Sequence, residues 1–199
     1  MKRHPPRNSP PRTPTRTRAG RVAAFGLAIA VACTAGCLAG TDAARASEAD
    51  CTAILDAMVK MATTPVRQKV SIKMPGTRPP LQTESIRIGD TMYMQARGQW
   101  FTQPYDGQKI AANARQALDA APHTCSREGS EPVNGQPADI YRMENAASGS
   151  KSESRIWISP TSGLPLRQHT ILLEGANANG EHEARYDYTN VTPPPGVKK

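Results

Sequence analysis

Histidine is scarce in this chain, and the catalytic arrangements that depend on it are incomplete. Four occur in 199 residues. His182 opens "HEARY" in the manner of a zinc-protease helix, but no second histidine follows four positions on. "HTC" at 123–125 has no second ligand pair nearby, so no metal site is expected. His169, in "LRQHTIL", reads as an exposed strand residue. No serine stands in a G-x-S-x-G elbow. No glycine-rich loop leads from a strand into a helix, the arrangement that cradles a dinucleotide. Glu181 and Glu183 fall on one face of a strand, where solvation is the default. No catalytic residue and no cofactor is expected, and the chain reads as a non-enzyme.

Acidic residues are nearly missing from the first 46 positions, where Asp42 stands against eight basic residues. The formal net charge of +8 for the whole chain is therefore a property of that segment. The remaining 153 residues hold 17 basic and 16 acidic side chains, which excludes a nucleic-acid partner on charge grounds. The segment reads as a secretory leader. A basic, proline-containing stretch precedes the apolar "VAAFGLAIAVACTAGCLAG", and "ARA" at 44–46 is a small-x-small cleavage site. The apolar run is marginal for a membrane span of about 20 consistently apolar residues. "TAGC" at 34–37 offers an alternative, lipidation at Cys37, which would make a membrane-anchored lipoprotein. Otherwise a signal peptide of residues 1–46 is removed and the protein is periplasmic or secreted. "NVT" at 190–192 is a glycosylation acceptor on paper only, behind a bacterial-looking leader.

Beyond the leader only two cysteines remain, Cys51 and Cys125. In an exported, oxidising setting they are expected to pair; two buried free thiols are the alternative. In "SEADCTAILDAMVKMATTP", Ile54, Leu55, Met58, Met61 and Ala62 recur at helical spacing, and Cys51 shares their face. Ser47 is the expected N-cap, and Pro65 ends the helix. "DGQKIAANARQALDAAP" predicts a second helix, with Ile110, Ala114, Ala117, Leu118 and Ala121 on one face.

The rest is period two. In "VRQKVSIKM", Val66, Val70, Ile72 and Met74 alternate with Arg67, Lys69, Ser71 and Lys73, a strand with one dry and one wet face. "LQTESIRIGDTMYMQARGQW" predicts two strands joined at Gly89 and Asp90, then a bend at Gly98. Four further strand-like stretches follow Cys125, separated by turn residues such as Asn134-Gly135. Eight to ten antiparallel strands and two helices in a single α+β domain, residues 47–192, are expected, with a flexible, trailing tail at 193–199. A meander of that size must curl, and helices must cover its dry face.

The order of these elements, with "WISPTSGLPLR" at 157–167, resembles the LolA-like superfamily of periplasmic lipoprotein carriers and RseB/MucB-like regulatory domains. The positions that carry the resemblance are Trp157, Ile158, Gly163, Leu164, Pro165 and Arg167, and it spans roughly residues 50–191. It implies an antiparallel open half-barrel whose apolar concave face is capped by the N-terminal and mid-chain helices. It also implies a non-catalytic carrier or sensor that binds an acyl chain or lipid there. The expected lining is Val70, Ile72, Ile86, Ile88, Met92, Met94, Ile156, Ile158, Leu166 and Leu172. Within the hairpin, Ile156, Ile158, Leu164 and Leu166 are expected inward, and Trp157 and Arg167 on the opposite side.

Methionine is frequent on these inner positions, while the chain after residue 46 has a single Phe. Flexible methionine suits an adaptable pocket and equally fills an irregular core. The alternative function is therefore a scaffold module for an envelope protein, with a cavity filled by its own side chains. A monomer is expected, whose partner is a hydrophobic ligand, a lipoprotein acyl chain or an envelope protein.

Overall fold

The structure, a computed structural model, describes residues 39–76, 78–120, 122–147 and 149–197. The leader to residue 38, with the lipidation candidate Cys37, lies outside the described residues. Helix α1 (Ala39–Thr63) begins before the expected cap. Ser47 lies inside the helix because the alanine-rich run ahead of it favours helix and contains no breaker after Gly40. At the other end the Thr64 hydroxyl donates to the Lys60 carbonyl at 2.7 Å, and Pro65 stops the helix.

Nine strands follow: β1 (Val66–Lys73), β2 (Leu81–Ile88), β3 (Thr91–Ala96), β4 (Gln99–Pro104), then, after α2 (Gly107–Ala120), β5 (His123–Val133), β6 (Gln136–Ala147), β7 (Ser150–Ile158), β8 (Pro165–Glu174) and β9 (Glu181–Asp187). They form one antiparallel, open sheet in the order β4-β3-β2-β1-β9-β8-β7-β6-β5. The first and last strands therefore pair at its centre, and β4 and β5 are the two edges. The bend expected at Gly98 is a complete hairpin. Arg97 and Gly98 both have positive φ, 51° and 75°, the two-residue turn that reverses a twisted strand tightly, so Trp100 and Phe101 belong to β4.

Residues opposite one another across a ladder share a face. One face carries Val66, Val70 and Ile72 of β1, Met92 and Met94 of β3, Tyr141 and Met143 of β6, Ile156 of β7 and Ala184 and Tyr186 of β9. Helix α1 lies on this face. Cys51, Ile54 and Ala57 pack with Cys125, Ile156 and Ile158, supported by Met58, Tyr141 and Met143. Cys51 and Cys125 form the expected disulfide, with Cα atoms 5.2 Å apart. The Asp50 carboxylate accepts from the Arg127 amide at 3.0 Å, so the helix also occupies part of the β5 edge. Further along, Met61 meets Val66, Ala184 and Tyr186, and Lys60 donates to the Ser162 carbonyl at 2.6 Å.

Much of the outer face is a polar ladder, interrupted on β5–β8 by an apolar island. Arg142 pairs with Glu153, Arg155 with Glu128, Arg67 with Glu84, and Lys73 with Glu181. The hydrogen bond from Lys73 holds the Glu181 carboxyl below its ordinary pKa. The island is Val133, Ala138, Trp157 and Leu166, with Ile140.

Helix α2 packs against α1 through its first turn. Asp106 caps it, accepting from the Lys109 amide at 2.9 Å, and Tyr105 donates its hydroxyl to the Ala62 carbonyl at 2.9 Å. A Cβ on Gly107 would collide with that same carbonyl oxygen. Backbone cannot yield as a side-chain end would, so Gly107→Ala is expected to destabilise by about 2 kcal/mol, measured by thermal melting.

Candidate functional site

The expected lining divides between the two faces of the sheet. Val70, Ile72, Met92, Met94, Ile156, Ile158 and Leu172 lie on the face that carries the helices. Ile86 and Ile88 do not. Ile86 stands opposite Arg67 and Tyr93, and Ile88 opposite Thr91, on the outer face. The two-residue turn at Gly89 and Asp90 pairs 88 with 91, so Met92 falls opposite Arg87 rather than beside an isoleucine. Leu166 also lies outward. The ladder between β7 and β8 shifts at Trp157 and Ile158, where Trp157 pairs with Arg167 and Ile158 with Pro165. This bulge breaks the alternation and turns Leu166 into the island with Trp157. Trp157 and Arg167 share the outer face as expected, the guanidinium 4.5 Å from the ring centroid.

Beneath α1 the inner face is filled. Ile156 and Ile158 are buried against the disulfide and Ile54. At the centre of the sheet a recess of about 160 Å³ is lined by Gln68, Val70, Gln168, Thr170, His182, Ala184 and Tyr186. It is small against ligand pockets of about 300–1,000 Å³, and more polar than expected. Tyr186 donates to Gln168 at 3.2 Å, and Thr170 shares a 2.8 Å hydrogen bond with Ser154. Burial pushes the Tyr186 hydroxyl up to about 12, so it is a neutral donor at physiological pH.

Towards the β4 edge the same face is open. Met94 is 41% exposed, its cross-strand partner Phe101 45%, and Leu81, opposite Ile72, 64%. Ile110 on α2 is exposed as well. At the inner end of this strip lies Arg87, only 8% exposed, with Val66 and Met92 as its cross-strand neighbours. It donates to the Tyr105 hydroxyl at 2.9 Å and lies 5.5 Å from that ring's centroid. Its Nε and Nη2 are buried without a hydrogen-bond partner among the described residues. Sequence reasoning missed Arg87 because an arginine between isoleucines reads as a wet-face residue. The turn parity at 89–90 was the available signal.

A second groove, of about 610 Å³, lies on the outer side of β3 and β4, between Tyr93, Thr102 and Pro104 and the C-terminal Pro193 and Val197. Pro194 is buried. Among the described residues no three histidine, cysteine or acidic side chains cluster as metal ligands, and no helix is long and apolar enough to cross a membrane.

No family model matches the chain, and no curated protein does. Solved structures are similar to it in fold. LprF from Mycobacterium bovis is 13% identical, with 76% of this chain and 99% of that chain covered, at a TM-score of 0.42. MucB in the MucA/MucB complex of Pseudomonas aeruginosa is 12% identical, with 70% of this chain covered, at 0.41. This chain spans 57% of that one. A LolA superfamily protein from Nitrosomonas europaea is 8% identical, with 72% and 94% covered, at 0.24. The likeness is one of chain course.

Proposed function

We propose that this chain is a non-catalytic binding protein of the bacterial envelope, which holds an acyl chain on the helix-bearing face of its open sheet. The observation that supports it is the exposed strip of Met94, Phe101 and Leu81 on the face whose other half forms the core under α1. Four of the five large hydrophobic side chains exposed among the described residues are Leu81, Met94, Phe101 and Ile110, on β2–β4 and α2. An apolar strip left uncovered where the rest of its face is packed is where an apolar ligand gains most from leaving water. The disulfide fits an oxidising compartment, and with it a leader removed after residue 46. This reading moves the binding place from a deep cavity to the open half of the face.

The scaffold alternative has its own support. The face beneath α1 is filled by the protein's own side chains, as a self-sufficient core requires. Titration with a fluorescent fatty-acyl probe separates the two. Saturable one-site binding is expected for the wild-type protein. Met94→Asp and Phe101→Asp, both at exposed positions, are expected to weaken it about tenfold or more while circular dichroism stays native, since each buried large apolar side chain is worth about 1.5–3 kcal/mol. No saturable binding by the wild type, or equal affinity in both variants, would favour the scaffold.

A further inference from the structure

We propose that Arg87 is the head-group site of this ligand, and that the ligand is an anionic amphiphile with a carboxylate or phosphate head. The inference rests on the acyl-chain reading and names the chemistry of the other end of the chain. Arg87 is buried, and its neighbours across the ladders are apolar, Val66 on one side and Met92 on the other. Tyr105 engages Nη1 and places its ring near the guanidinium, but a neutral phenol does not compensate a charge. The two nitrogens left without partners are Nε and Nη2. These two form one edge of the guanidinium, the parallel pair of N–H groups that matches the two oxygens of a carboxylate or phosphate. A buried cation with that edge enclosed and unpartnered is costly to keep, where an apolar side chain often serves the fold as well; a head group reaches the edge by displacing the side chains that enclose it.

Position supports the same assignment. Met92 stands opposite Arg87 on the next strand, Met94 is two residues further along the same face, and Phe101 lies across from Met94. At about 4.8 Å between strands and 3.3 Å per residue, Phe101 lies roughly 12 Å from Arg87. A chain resting on Met94 and Phe101 therefore points one end at the guanidinium.

The test uses the full mature protein and three probes of equal chain length: a fluorescent fatty acid, its methyl ester and an alkyl phosphate. Wild-type protein is expected to bind at least one of the two anions about tenfold or more tightly than the ester, and the comparison of acid with phosphate tells which head is preferred. In Arg87→Met the ratio of anion to ester affinity is expected to fall to about one. Arg87→Lys, which keeps the charge and loses the paired edge, is expected to fall between. The ligand-free Arg87→Met protein is expected to melt at or above the wild-type temperature, because an uncompensated buried charge has gone; a purely structural arginine would give a lower one. Ester bound as tightly as both anions overturns the assignment and leaves the acyl-chain reading standing. An anion preference that survives Arg87→Met, or a lower melting temperature with the preference intact, also overturns it. If no probe saturates, both readings fall.

Discussion

Replacing Cys51 and Cys125 together by alanine is expected to lower the melting temperature by about 8–16 °C. The bond closes 74 residues of sequence, from the middle of α1 to the edge strand β5. In the chain-entropy model a closure of that length is worth about 4 kcal/mol, and a domain of this size loses about 2–4 °C per kcal/mol. The loss is not confined to the unfolded state. Both sulfurs lie in the cluster with Ile54, Ile156 and Ile158, so alanine also leaves the core underfilled where α1 meets the sheet. Calorimetry of the wild type, the double variant and the reduced wild type checks it. Reduction should reproduce most of the shift, and the remainder measures the packing lost. Equal melting temperatures in all three would show that Ile54 and its neighbours hold the helix without help.

Trp157→Ala is expected to cost about 4 kcal/mol, close to the disulfide in effect. The ring is 5% exposed and fills the outer island between Ala138 and Leu166. Its Nε1 donates to the Glu131 carboxylate at 2.6 Å, so truncation also strips a charged acceptor of its donor. Above the ring lies the Arg167 guanidinium at 4.5 Å, whose stacking partner would vanish. Trp157→Phe should keep most of the apolar contact and lose the hydrogen bond, at a cost of about 1–2 kcal/mol. Urea unfolding of both variants gives the ratio. Similar losses for Phe and Ala would place the stability in the hydrogen bond rather than in the ring.

Much of the fold is legible in the sequence because its strands are polarised. Val66, Val70 and Ile72 alternate with Arg67, Lys69 and Ser71, and the structure keeps that split. The helix pattern around Ile54 and Met58 points Cys51 at the sheet for the same reason. What the pattern did not reveal is parity between strands. In β2 both faces carry apolar side chains, Ile86 outward and Leu81 inward, so hydrophobicity alone does not orient the strand. The turn does, and counting across Gly89 and Asp90 would have placed Arg87 beside Met92. Leu166 escaped for a different reason. A bulge adds a residue without any compositional mark, and "GLPL" reads as unbroken alternation until β7 is laid beside it. The small, polar recess at Gln68 and Gln168 was hidden because period-two patterns record which side a residue faces and not how far the opposing layer stands away.

The pairing of β1 with β9 bears on how the chain reaches this state. Val70 meets Ala184, more than a hundred positions away, and until 181–187 are available β1 presents a bare row of amide and carbonyl groups. A polypeptide that emerges amino-terminus first, as it does from the ribosome, delivers this closing strand last. The first four strands can zip locally through tight turns, but they wait as a small sheet with β1 as a second raw edge besides β4, and with an uncovered apolar side. Long-range closure of this kind is slow compared with hairpin formation, and the interval is when edge-to-edge association competes with folding. The sheet's centre, its best protected place once finished, is thus the last part to be made.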